Sequence, residues 1–159
     1  MGLDMYLYRK EYISGTAWTQ DEKAIKEANL YSVIADHFDI PSNGSHLHAE
    51  IDICVAYWRK ANAIHGWFVN TLAGGVDECQ PIYVSLDNLK ELRELVNSVL
   101  LTPAFAGDIL PTQSGFFFGS SDIDEWYISD MKNTVEMIDK IISSVSPDSY
   151  NRFYYQASW

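Results

Sequence analysis

The stretch from Glu50 to Leu72, EIDICVAYWRKANAIHGWFVNTL, decides how the chain is read. Within it Cys54, Trp58, Ala61, His65, Phe68 and Leu72 recur at spacings of 4, 3, 4, 3 and 4, the period that places side chains on one helical face. The spacing predicts a helix over 50–72, stopped by Gly74 and Gly75 in the manner of a C-cap. On its N-terminal side Pro41 to Ser45 is turn chemistry, read as a loop inside one domain. Further back, Thr19 to Glu22 has the form of a capping box, which predicts a helix to about His37, with Leu30 to Ala35 also readable as extended. The chain opens with an aromatic, partly alternating run, 3–8, that predicts a strand.

On the C-terminal side Pro81 to Val84 reads as a short strand. Leu86, Leu89, Leu92, Val96 and Val99 then mark an amphipathic helix that Ser85 caps and that ends near Leu101, before Thr102 and Pro103. The glycine-bounded run Ser114 to Gly119 predicts a buried strand. Tyr127, Met131, Val135, Ile138, Ile142 and Val145 predict a last helix over 122–145, and the aromatic tail 151–158 predicts a terminal strand. Strands at both ends with helices between them point to an α+β fold, a small, mostly antiparallel sheet covered by about four helices. With no internal repeat or low-complexity tract, residues 1–159 read as a single domain.

The bulk composition narrows the function classes. Eleven basic against 22 acidic residues leave a formal charge of −11, which repels phosphate backbones and anionic membranes over a Debye length of about 8 Å. Direct nucleic-acid binding and membrane association are therefore not expected. The same charge suits docking onto a basic partner, or plain solubility. The sequence shows neither a signal-peptide pattern nor a run of about 18 apolar residues, so the expected location is the cytoplasm, where Cys54 and Cys79 stay reduced. Aromatic residues make up 14% of the chain, enough to fill a core and to line a pocket or a homo-oligomeric interface as well.

Three segments offer chemistry. On a 50–72 helix, Trp58, Asn62 and His65 adjoin at i, i+4 and i+7, with Arg59 beside Asn62 and Lys60 next in the chain. An aromatic, an amide, an imidazole and a guanidinium on one stripe can grip a planar polar ligand, the guanidinium taking a phosphate or carboxylate. The competing reading is a core-facing helix with solvated Arg59 and Lys60. The turn Gly75 to Cys79 adds Asp77 and Glu78 as acceptors. A Cys79–His65 nucleophilic pair is open, although the two carboxylates would raise the thiol pKa. The run Leu110 to Ser121 brings Thr112, Ser114 and backbone N–H groups around three phenylalanines, with neither a P-loop nor a nucleophile-elbow motif. His46, His48, Glu50 and Asp52 have metal-ligating side chains but no second spaced pair, so no metal is assigned.

Gly2 to Leu7, Trp58 to Val69, Gly75 to Cys79 and Leu110 to Ser120 together resemble a family of small proteins encoded by phages and prophages. The resemblance covers about half the chain, scattered from its start to about Tyr127, and leaves residues 9–50 and the tail after Pro147 outside. It implies a phage accessory role in the host cytoplasm, directed against bacterial defence. The leading expectation is immune evasion by sequestering a small nucleotide-like ligand without turnover and without a cofactor. The ligand-binding residues would be Trp58, Arg59, Lys60, Asn62, His65, Asp77, Thr112 and Ser114; no catalytic residue is assigned. One alternative is an acidic inhibitor of a defence protein, for instance a nucleic-acid-binding protein of the CRISPR type. Another is an enzyme acting on a nucleotide-like substrate, with His65 as acid or base.

Overall fold

The computed structural model describes residues 2–41, 46–145 and 152–159. In chain order the elements are strand β1 (Asp4–Ser14), helix α1 (Glu22–His37), strand β2 (His48–Arg59) and helix α2 (Asn62–Trp67), which runs on as a wider π turn (Phe68–Leu72). Strand β3 (Ile82–Val84), helix α3 (Leu86–Leu101), a 3-10 turn (Pro103–Phe105), the short helix α4 (Ala106–Ile109), helix α5 (Glu125–Ser144) and strand β4 (Arg152–Ser158) follow. The strands form one four-stranded antiparallel sheet in the order β2-β1-β4-β3. The fold is α+β, with the sheet built from both ends of the chain. Among the described residues no helix is long and apolar enough to cross a membrane.

The chain divides into two compact units, Met1–Arg9 with Cys54–Trp159, and Lys10–Ile53. In the larger unit period-2 alternation sets the buried face of the sheet. Leu3, Met5 and Leu7 on one side of the N-terminal segment and Phe153, Tyr155 and Ala157 on β4 are all buried. The last strand pairs antiparallel with β3, with Ile82 opposite Tyr155 and Val84 opposite Phe153. Helix α3 buries Leu89, Leu92, Val96 and Val99, and α5 buries Tyr127, Met131, Thr134, Ile138 and Ile141. These faces share one apolar core with Ile64 and Phe68, and the Phe68 ring stacks on Tyr155 at 4.0 Å between centroids. Ser85 caps α3 in a reciprocal capping box with Asn88.

The smaller unit has its own short core of Ile13, Tyr31 and Ala35, with Ile34, Leu47, Ala49 and Ile51 packed against it. Helix α1 covers the whole of the expected span, Leu30 to Ala35 included. Its N-cap is Asp21, whose carboxylate accepts from the Ala24 N–H at 2.8 Å. The expected box on Thr19 is corrected accordingly: the threonine hydroxyl donates to Asp21 instead of capping the helix. His46 and His48 lie against Trp18 and Tyr12, and Glu50 and Asp52 face Lys10. The expected turn at Pro41 to Ser45 falls mostly on 42–45, outside the described residues.

Two further expectations are overturned. Residues 48–59 are a strand, and only 62–72 of the expected 50–72 helix are helical. The run Ile51, Ile53, Val55, Tyr57 alternates with Cys54, Ala56, Trp58, and this β-branched and aromatic period of 2 prevails over the coincident helical spacing. Ser114 to Gly119 is a turn-containing loop rather than a buried strand. Its Phe118 N–H bonds back to the Gly115 carbonyl at 3.1 Å, and Phe116 is 95% exposed.

Phe116→Ser should therefore shift stability by less than about 0.5 kcal/mol, whereas Phe153→Ala, at a fully buried position, should cost about 3–5 kcal/mol. Urea unfolding midpoints of the two variants check both values.

Candidate functional site

Where β2 ends, the chain turns sharply into α2. Lys60 takes a positive φ of 59°, its N–H bonds to the Leu3 carbonyl at 2.8 Å, and its own carbonyl accepts from the Asn62 N–H at 2.8 Å. A lysine in this left-handed conformation carries a steric cost that the surrounding hydrogen bonds must hold in place. Its alkyl stem passes over Gly119, where φ is +86° and an added Cβ would lie 3.3 Å from the lysine Cβ. The absence of a side chain at Gly119 thus both permits that backbone and leaves the lysine its path.

Asn62 opens α2 and is buried. Its Nδ2 donates to the Phe118 carbonyl at 3.1 Å and the Ser120 carbonyl at 2.7 Å, and its Oδ1 accepts from the Gln113 N–H at 3.0 Å. One amide thereby satisfies three backbone groups of the 113–120 loop. Gly66, one turn on, has no side chain to obstruct Gln113; a Cβ there would fall 2.7 Å from it. The loop is held at two more points. Tyr127 donates to the Leu110 carbonyl at 2.7 Å and Thr112 to the Ser121 carbonyl at 2.9 Å. Burial pushes the Tyr127 hydroxyl up to about 12, which keeps it a donor.

These constraints enclose a cavity of about 430 Å³, within the range for small-ligand sites. Arg59, Lys60, Thr112, Gly119 and Ser120 line it, and Asp122, Asp124, Trp126, Tyr127 and Asp130 come from the start of α5 and the segment before it. Trp126 and Asp130 stand one turn apart on α5, and the indole is 72% exposed. Asp124 is committed to the helix, accepting from the Trp126 and Tyr127 N–H groups at 3.0 and 3.1 Å. Asp122 accepts from the Ser120 hydroxyl at 3.0 Å. The Asp130 carboxylate accepts no hydrogen bond from the described residues, its backbone carbonyl being the acceptor for the Thr134 hydroxyl at 2.7 Å. Burial first and the charge of Asp124 second push its carboxyl up to about 6.

Of the eight residues expected to hold a ligand, the structure brings Arg59, Lys60, Asn62 and Thr112 to this cavity. Asn62 serves it as a brace, since its amide is already engaged. The helical stripe of Trp58, Asn62 and His65 is corrected, because Trp58 sits in β2. Its indole is buried and donates to the Thr134 hydroxyl at 2.9 Å. His65 is fully buried. Its Nε2 donates to the Asp77 carboxylate at 3.0 Å, and its Nδ1 shares a hydrogen bond with the Tyr155 hydroxyl at 2.7 Å. Burial, followed by the charges of Asp77 and Cys79, drives the Tyr155 hydroxyl well above its ordinary range. Asp77 thus tethers the 73–80 turn to the core, and with both imidazole nitrogens on oxygen atoms, His65 offers Cys79 no base. Ser114 is exposed on the loop and does not line the cavity.

Sequence reading missed Trp126 and Asp130. Their i, i+4 spacing on a helix with a separate apolar stripe was the available signal. Among the described residues no three His, Cys, Asp or Glu side chains gather as a metal site. Compared with protein-family models, with curated proteins and with solved structures, the chain matches none.

Replacing Asn62 by Ala strands three loop groups at once and should cost about 2–4 kcal/mol, read by urea unfolding, together with faster hydrogen exchange at the Gln113 amide. Asp130→Asn should act in the opposite direction. An acid whose pKa is higher folded than unfolded costs stability as pH rises from the unfolded to the folded value. Here that window runs from 3.8 to about 6. The variant should match the parent near pH 4 and exceed it by about 1–2 kcal/mol near pH 8, after allowance for solvent screening. Thermal unfolding across that range measures the gap.

Proposed function

We propose that this chain is a phage accessory protein that sequesters a small nucleotide-like ligand in the cavity between Lys60 and Asp130, without turning it over. The observation that carries the reading is the cavity's mixed lining. Arg59 and Lys60 bring two neighbouring cations to a cavity that also carries the carboxylates of Asp122, Asp124 and Asp130, and a guanidinium beside an ammonium suits a phosphate or carboxylate group. Trp126 provides an exposed ring for a planar base, and the half-buried Asp130 carboxylate, which meets no donor from the described residues, provides an acceptor for the polar edge of that base. The volume suits a mononucleotide. The three hydroxyls of the lining, Thr112, Ser120 and Tyr127, each donate to a protein oxygen, and among the described residues neither histidine nor cysteine lines the cavity. A binding role therefore fits better than nucleophilic catalysis.

One observation favours a second reading. A carboxyl with its pKa near 6 in a cavity is also the profile of a general acid or base, which would make Asp130, not His65, the catalytic group of an enzyme acting on the same ligand class. Turnover of a bound nucleotide, abolished in Asp130→Asn while binding persists, would favour that reading over sequestration.

Native mass spectrometry of the protein purified from phage-infected cells, before and after mild denaturation, should show loss of a nucleotide-sized ligand. The Arg59→Ala, Lys60→Ala double variant should lower ligand affinity at least about tenfold, corresponding to roughly 1.4 kcal/mol for lost charge-assisted contacts. Unchanged binding in that variant would refute the pocket.

A further inference from the structure

The carboxylates around the cavity are not equivalent, and the difference points to the kind of base it would take. Asp124 is consumed by the first turn of α5, and Asp122 by the Ser120 hydroxyl. Asp130 alone of the three has a carboxylate that accepts nothing from the described residues, although it is partly buried and lines the cavity. A carboxylate taken partly out of water and left without donors is costly. A ligand that removes this cost must present N–H groups, and a carboxylate with two oxygens is best matched by two neighbouring donors in one plane, as in its forked pairing with a guanidinium.

The common bases differ on this point. Guanine carries N1–H and the 2-amino group side by side. Adenine places the N1 acceptor beside its amino group and cytosine places N3 there, so each sets a lone pair against a carboxylate oxygen. Uracil offers a single N3–H between two carbonyls. Trp126 stands one turn before Asp130 on the same helix, close enough for a base whose edge meets Asp130 to lay its face on the indole.

Resting on the nucleotide-binding reading above, we infer that the cavity selects guanine: the Asp130 carboxylate accepts from N1–H and the 2-amino group, the base stacks on Trp126, and Arg59 and Lys60 hold the phosphate. A site whose polar group is left unpaired rejects an analogue strongly, so selectivity arises at Asp130 and general affinity at Arg59 and Lys60.

Isothermal titration calorimetry with GMP, IMP, AMP and UMP tests the inference on the intact protein. GMP should bind at least about tenfold tighter than AMP or UMP, with IMP, which keeps N1–H but lacks the 2-amino group, between them. Asp130→Asn, which presents one acceptor and one donor, should lose the preference for GMP and gain affinity for AMP. Trp126→Ala should weaken all four nucleotides alike, since stacking does not distinguish the bases. AMP binding as tightly as GMP, or a GMP preference that survives Asp130→Asn, would overturn guanine selection and leave the nucleotide reading in place. Binding of none of the four would overturn both.

Discussion

The Asn62 side chain lies between the start of α2 and the 113–120 loop, and its amide answers three backbone groups that would otherwise be partly buried without partners. A loop can lie against a core only when its carbonyls and N–H groups are satisfied. This amide meets that requirement from a buried position, at Phe118, Ser120 and Gln113. Gly66 gives the room, Tyr127 and Thr112 hold the loop's ends, and the tight turn at Lys60 sets where Asn62 stands. The cavity is the space left by this arrangement, and its volume and lining follow from it.

The same residues show how a polar site is kept beside an apolar core. Tyr127 and Met131 are buried in the core and also reach the cavity's lining, while Trp126 and Asp130, each one residue earlier on α5, line it from less buried positions. The helix therefore serves both, with the core fixing the rotation that presents the indole and carboxylate. Thr134 links the two sides, accepting from the buried Trp58 indole and donating to the Asp130 carbonyl at 2.7 Å. The burial of Asp130, with the charge of Asp124 beside it, lowers stability as pH rises from 3.8 to about 6. Such a cost at a cavity is what the proposed binding role would account for.

His65 contributes in another way. Its imidazole joins Asp77 in the 73–80 turn to Tyr155 in β4, so a local turn and the last strand are fastened to one point in the core. The Phe118 ring packs edge-on against the imidazole at 4.9 Å between centroids, which ties the cavity loop to the same network. A histidine that looked like a ligand by its company in the sequence is thus a structural connector, reached by polar partners 12 and 90 residues away.

By itself the sequence determined the elements whose signals are local. The α3 helix was legible from its leucine and valine spacing and the Ser85 cap, α5 from its apolar face, and both terminal strands from their aromatic alternation. Together these gave the α+β class. The sequence also placed Arg59, Lys60, Asn62 and Thr112 among the candidates for the site. Between Glu50 and Arg59 it carried a period of 2 and a helical spacing at once, and the β-branched and aromatic alternation, paired beside β1 in the sheet, prevailed. Only the tertiary structure decided what each polar side chain does. Asn62 and His65 carry groups that a ligand could use, and they became a brace and a connector because their partners lie far along the chain. Trp126 and Asp130 carry no motif, and it is the fold that turns them toward the same space as Lys60.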